Sequence, residues 1–155
     1  MVAYLDATGY LAERGEGAAE IARRSAPLVQ RKLSRLSEYD RLAGWLYHPL
    51  EFEPEAWEFL EQDVKHAIQA IGGGLGRLEA LDDFTMEPIK EALSDQLHVQ
   101  GLSARDFLEP QRIALTGQGI STGIYESLEM LGKDDAVARY RLTLGRLAEQ
   151  WEGGE

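Results

Sequence analysis

Arg112 stands shortly before a loop of small and polar residues, Gly117-Gln118-Gly119-Ile120-Ser121-Thr122-Gly123. A guanidinium is planar, permanently charged and donates as a fork, which suits two-point hydrogen bonding to the edge of a nucleobase. The same arginine could instead pair with Glu109 or cap helix carbonyls. The loop also has two readings. Backbone N–H groups ahead of a helix suit phosphate or a base-edge acceptor, and the same residues make an ordinary capped turn. Tyr125 could stack on a splayed-out base, or be core beside Leu128 at helical spacing. These groups suit reading a ligand's edges, not breaking its bonds.

Bond-breaking chemistry is not visible elsewhere. The three histidines, His48, His66 and His98, form no i, i+4 pair. Asp63 and His66 give one D-x-x-H spacing, where a carboxylate-bridged metal site in a helical bundle uses it twice with further acids. No metal site and no catalytic residue are therefore expected. The chain has no cysteine, so thiolate nucleophiles, disulfides and thiolate zinc sites are excluded. Gly72-Gly73-Gly74-Leu75-Gly76 follows a helical stretch, not a strand, and lacks the context of a dinucleotide loop. No P-loop Gly-Lys-Ser/Thr occurs.

The chain has 155 residues, 44% of them hydrophobic, enough for one core or two small subdomains. No apolar run reaches membrane-spanning length, and the N-terminus lacks a secretory signal pattern. A cytoplasmic home is expected. The net charge of −11 argues against a general polyanion binder such as a DNA-coating protein. The charge is uneven. Residues 22–46 carry Arg23, Arg24, Arg31, Lys32, Arg35 and Arg41 against Glu38 and Asp40, a local +4. Residues 47–103 carry a local −9, and 104–148 are balanced. An RNA partner would meet the first and third segments.

Apolar spacings of three and four dominate, and no stretch alternates long enough for a strand. The chain is expected to be all-α, with subdomains at 1–81 and 82–155. Pro27 suggests a break or kink near Ser25. Pro54 opens a helix that carries Trp57, Leu60, Val64, Ala67, Ile68 and Ile71 on one face and stops at Gly72-Gly73-Gly74. Thr85 caps a helix ending at Gly101. Pro110 to Leu115 reads as an extended segment. A short helix follows from near Ser121 to Gly132, and a last one holds Ala136, Tyr140, Leu144, Leu147 and Trp151.

Several separated motifs together resemble the C-terminal anticodon-binding region of bacterial glutamyl-tRNA synthetases. Ala26 to Tyr39 is similar to the family's helix pair, followed by Trp45-Leu46-Tyr47. Phe84-Thr85 stands where many relatives carry Trp-Thr. The strongest match is Pro110-Gln111-Arg112-Ile113-Ala114-Leu115-Thr116-Gly117, then Tyr125-Glu126, Leu131-Gly132-Lys133 and Ala138-Arg139.

The resemblance implies a two-subdomain helical cage that binds the anticodon loop of tRNA(Glu). It implies that Arg112 contacts the first anticodon base, that Ser121 and Thr122 read the second, and that Ile124 with Lys32 reads the third. Arg31 precedes Lys32, where many relatives place arginine at the latter position. Thr122-Gly123 replaces a common Pro-Pro or Pro-Gly. The family's nucleotide-binding domain, with its His-Ile-Gly-His-like and Lys-Met-Ser-Lys-like signatures, has no counterpart in these residues. ATP and glutamate would bind that catalytic domain, and the chain itself needs no cofactor. An alternative is a protein-interaction module that retains the fold without RNA reading.

Overall fold

The computed structural model describes residues 14, 17–29, 43–119 and 123–153. Its elements are α-helices, and no strand occurs among the described residues. The chain divides into two compact units, residues 1–49 and 50–155.

In the first unit, α1 (Ala18–Val29) buries Ala18, Ala22, Ser25 and Ala26 and exposes Arg23 and Arg24. The expected break near Ser25 is absent, and the helix continues through Pro27. A mid-helix proline removes one N–H and need not end the helix. The Ser25 hydroxyl bonds back to the Ala22 carbonyl at 3.4 Å. A 3-10 turn (Gly44–Tyr47) packs on α1 and buries Trp45 and Leu46.

The second unit comprises α2 (Pro54–Glu61), α3 (Val64–Glu79), α4 (Met86–Gln100), α5 (Ala104–Thr116), α6 (Ile124–Leu131) and α7 (Lys133–Gly153). Pro54 sits in the first turn of α2, as its spacing predicts. The single helix expected from Trp57 to Ile71 is interrupted at Gln62-Asp63. Asp63 caps α3 by accepting from the His66 N–H at 3.0 Å, satisfying one of the orphan donors there. Gly101 and Gly132 close α4 and α6 with positive φ, as expected.

Helix α3 is the hub and packs against α2, α4, α5 and α7. The boundary between the two compact units falls after Pro49, and α3 shares its core with the helices that follow it. The glycine run does not stop α3, which continues to Glu79. Glycines 73 and 74 instead admit neighbouring side chains. A Cβ on Gly73 would collide with Gln96 and Gln100, and one on Gly74 with Gln111. Thus helix α3 accepts the local cost of glycine, about 1 kcal/mol each, in exchange for close approach.

Pro110 lies inside α5, so the Asp106 carbonyl has no i+4 N–H to receive. The His66 ring fills that vacancy, its Nε2 lying 3.0 Å from the Asp106 oxygen. His66→Phe should cost about 1 kcal/mol in chemical denaturation. In a Pro110→Ala background, where residue 110 regains its N–H, the same change should cost only a few tenths.

Tyr140, on α7, is fully buried, and its hydroxyl has no hydrogen-bond partner among the described residues. Burial pushes its phenol far above the ordinary value of 10.0. The native state therefore holds a proton that the unfolded chain loses above about pH 10. Stability from this group is complete below that pH and should fall above it by about 1.4 kcal/mol per pH unit. Tyr140→Phe should remove this component of the alkaline decline while leaving neutral-pH stability equal or higher, as read from urea midpoints across pH.

Candidate nucleic-acid interface

Helix α5 carries the Pro-Gln-Arg motif, and its conformation corrects the sequence expectation. Residues 110–115 are helical, not extended. Ser103 caps the helix by accepting from the Asp106 N–H at 3.1 Å, and Asp106 lies in the first turn, where the dipole favours an acid. The helix survives Pro110 because His66 takes the freed carbonyl.

Two consecutive motif residues then face differently. Gln111 is fully buried, and its Nε2 donates to the Ala70 carbonyl of α3 at 2.6 Å. Arg112, one position on, turns toward the surface with 27% of its side chain exposed. Its Nη1 donates to Glu109 Oε2 at 3.1 Å, while its Nε is buried without a partner among the described residues.

The C-terminal end of α5 is held by partners from three places. The Ile113 carbonyl accepts from the Gly117 N–H at 2.8 Å. The Thr143 hydroxyl donates to the Ala114 carbonyl at 3.3 Å, and Arg139 Nη1 to the Leu115 carbonyl at 2.9 Å. Burial lowers the pKa of Arg139 and Asp135 opposes the shift; an arginine stays charged under either influence. The Gly117 carbonyl accepts from the Glu53 N–H at 2.8 Å. Thr116 Oγ accepts from the Gln118 N–H at 3.0 Å and fixes the start of the loop.

Of the residues expected to contact a ligand, Arg112 and Ile124 are described. Arg31, Lys32, Ser121 and Thr122 lie outside the described residues. Ile124 opens α6 and is 4% exposed, so its side chain belongs to the core that α6 shares with α4, α5 and α7. Tyr125 is half-buried. Lys133 and Arg139, both in the matched motifs, turn inward: Lys133 Nζ donates to the Leu81 carbonyl at 2.7 Å. Glu109, which the sequence offers as a structural partner of Arg112 at i, i+3 spacing, holds its guanidinium as expected.

Residues 4–144 match the family model described as the anticodon binding domain. The chain belongs to the anticodon binding domain family. It is 36% identical over 151 residues to a glutamate–tRNA ligase of Kocuria rhizophila, covering 96% of this chain and 30% of that protein. It is 34% identical over 150 residues to a glutamate–tRNA ligase of Saccharopolyspora erythraea, covering 94% and 29%. Its fold is similar to a crystal structure of a glutamate tRNA ligase from Elizabethkingia meningosepticum in complex with its amino acid. The TM-score is 0.70 at 21% identity, over 88% of this chain and 27% of that one. The chain thus spans about 30% of the length of the relatives it matches. The all-α expectation and the family resemblance both stand. No helix of the described residues is long and apolar enough to cross a membrane.

The anticodon binding domain holds Arg112 on a scaffold anchored at Gly117. That glycine has φ +74°, and a Cβ on it would lie 1.8 Å from the Glu51 carbonyl oxygen. Gly117→Ala should therefore cost about 3 kcal/mol or more, from left-handed strain and a backbone clash together. Arg112→Ala should cost under about 1 kcal/mol, since it breaks only a partly exposed ion pair. Thermal unfolding of the two variants side by side checks the contrast.

Proposed function

We propose that this chain is the tRNA(Glu) anticodon-recognition module of a cytoplasmic glutamate–tRNA ligase. The family match over residues 4–144 carries the reading, and relatives named glutamate–tRNA ligases support it. On this reading the partner is the anticodon loop of tRNA(Glu), a set of unstacked bases that protein side chains can reach. The module is not catalytic by itself. ATP and glutamate are handled by the catalytic domain of the parent synthetase, which is the second partner.

Arg112 is the base-reading side chain in this proposal. Its guanidinium is tethered at Nη1 and 27% of the side chain is exposed, so N–H groups on its outer nitrogens remain for a ligand. The loop that begins at Gly117 contributes Ser121 and Thr122, and Ile124 shapes its far end. Arg31 and Lys32 supply positive charge from the basic segment of the sequence, giving phosphate contacts and a salt-dependent affinity.

Titration with tRNA(Glu) and tRNA(Gln) transcripts tests the reading. The chain should prefer tRNA(Glu), and added salt should weaken binding. Arg112→Ala should lower affinity for tRNA(Glu) about tenfold or more without a matching loss of fold. Equal binding of the two transcripts, or an unaffected variant, would remove the proposal. Capture of a protein partner with no saturable tRNA binding would favour the interaction-module alternative.

A further inference from the structure

Arg146, on α7, is exposed, and its only hydrogen-bonding, ionic or ring partners among the described residues are two aromatic rings. Its Cζ lies 5.2 Å from the ring centroid of Phe52 and 5.2 Å from that of Trp57. The two rings stand 4.8 Å apart at 55° to each other. A ring face attracts the charge of a guanidinium and leaves its N–H groups unspent. Those five donors lie in the plane of the group, at its edges. Helix α2 carries Glu55, Glu58 and Glu61 close in sequence to Trp57, but none of them pairs with Arg146. Glu61 instead accepts from the Gln150 amide. Arg141, earlier on α7, spends its guanidinium on Glu79 at 2.8 Å.

The aromatic seat is tied to the loop that follows α5. The Glu53 N–H, next to Phe52, donates to the Gly117 carbonyl at 2.8 Å. A Cβ on Gly117 would stand 3.3 Å from the Phe52 Cα. An unspent arginine is thus held beside the start of that loop. Lys65, Lys90 and Arg105 are also exposed, but no ring contact or hydrogen bond holds them among the described residues. A long cation loses side-chain freedom when it takes a ligand. The rings already restrain Arg146, which lowers that cost. Guanidinium is weakly hydrated, and its fork matches a phosphate with two parallel hydrogen bonds.

We propose that Arg146, seated on Phe52 and Trp57, binds a backbone phosphate of the RNA that the loop after Gly117 meets. The proposal rests on the anticodon-reading role above and adds a contact that carries affinity and no sequence information. Arg146 lies beyond residues 4–144, the span of the family match.

Titrations of tRNA(Glu) and tRNA(Gln) over a salt series test it, with the native chain, Arg146→Gln, Arg146→Lys and Arg112→Ala. Arg146→Gln should weaken both RNAs by the same factor, roughly tenfold at low salt. It should also make the slope of log affinity against log salt shallower by about 0.7. Arg146→Lys keeps the charge and should keep the native slope. Stem-loop RNAs with one uncharged methylphosphonate linkage, moved along the loop, then locate the phosphate. At one linkage the native chain should lose roughly tenfold and Arg146→Gln less than about twofold.

The failures are distinguishable. If Arg146→Gln keeps the native affinity, or loses affinity with an unchanged salt slope, the proposal falls. It also falls if the variant changes the ratio between the two tRNAs, or if no linkage separates it from the native chain. The anticodon reading stands in each of these cases provided that Arg112→Ala still weakens tRNA(Glu). If the native chain binds no RNA, or Arg112→Ala changes nothing, the anticodon reading and the proposal fall together.

Discussion

The end of helix α5 is the constraint from which the rest of the second unit follows. A helix leaves its last carbonyls without intrahelical partners, and a buried end must find them elsewhere. Here they come from α7, through Thr143 and Arg139, and from the helix's own glycine cap. The segment before α2 then bonds the cap itself, through the Glu53 N–H. Three parts of the chain are thereby tied to one turn of helix. Arg112 lies in that turn, so its position is inherited from the scaffold and owes little to its own ion pair with Glu109.

The same helix is set on its other face by Gln111. A glutamine with no exposed surface is expensive unless its amide is bonded; the Ala70 carbonyl takes its Nε2, while its buried Oε1 has no partner among the described residues. Gly74 provides the room, since any Cβ there would overlap the amide. Core and site residues thus alternate along one stretch: Gln111 fixes the rotation of α5 on α3, and that rotation turns Arg112 outward. A change on α3, far from the surface, would reach the site through this contact.

Local signals were legible in the sequence, and tertiary ones were not. Pro54 in a first turn, and Gly101 and Gly132 at helix ends, act within a few residues of themselves, and each does what its spacing predicts. Gly73 and Gly74 act through Gln96, Gln100 and Gln111, so in sequence they resemble a stop and in the fold they are contact points. Pro110 reads as a helix breaker because its compensation, the His66 ring, lies on another helix. Arg112 stands out in the sequence by its residue type and its neighbours, and the fold leaves it partly exposed. Lys133 and Arg139 carry no sequence signal of their partners, and the fold turns both toward carbonyls.

That inward use of cations shapes what the site can recognise. Residues 104–148 are balanced in formal charge, but Lys133 and Arg139 are committed to main-chain oxygens. Arg141 pairs with Glu79 at 2.8 Å, and Arg146 lies 5.2 Å over both the Phe52 and Trp57 rings. The cations of this part of the molecule are matched in number by its acids, and residues 47–103 carry an excess of acids. For an RNA-reading module this is a working arrangement. Phosphate attraction raises affinity for every RNA alike and carries no sequence information. Acidic surroundings lower that common affinity, so a ligand binds only where matched base-edge hydrogen bonds offset the repulsion. In the proposed role, discrimination then comes from disfavouring the wrong partners as much as from holding the right one.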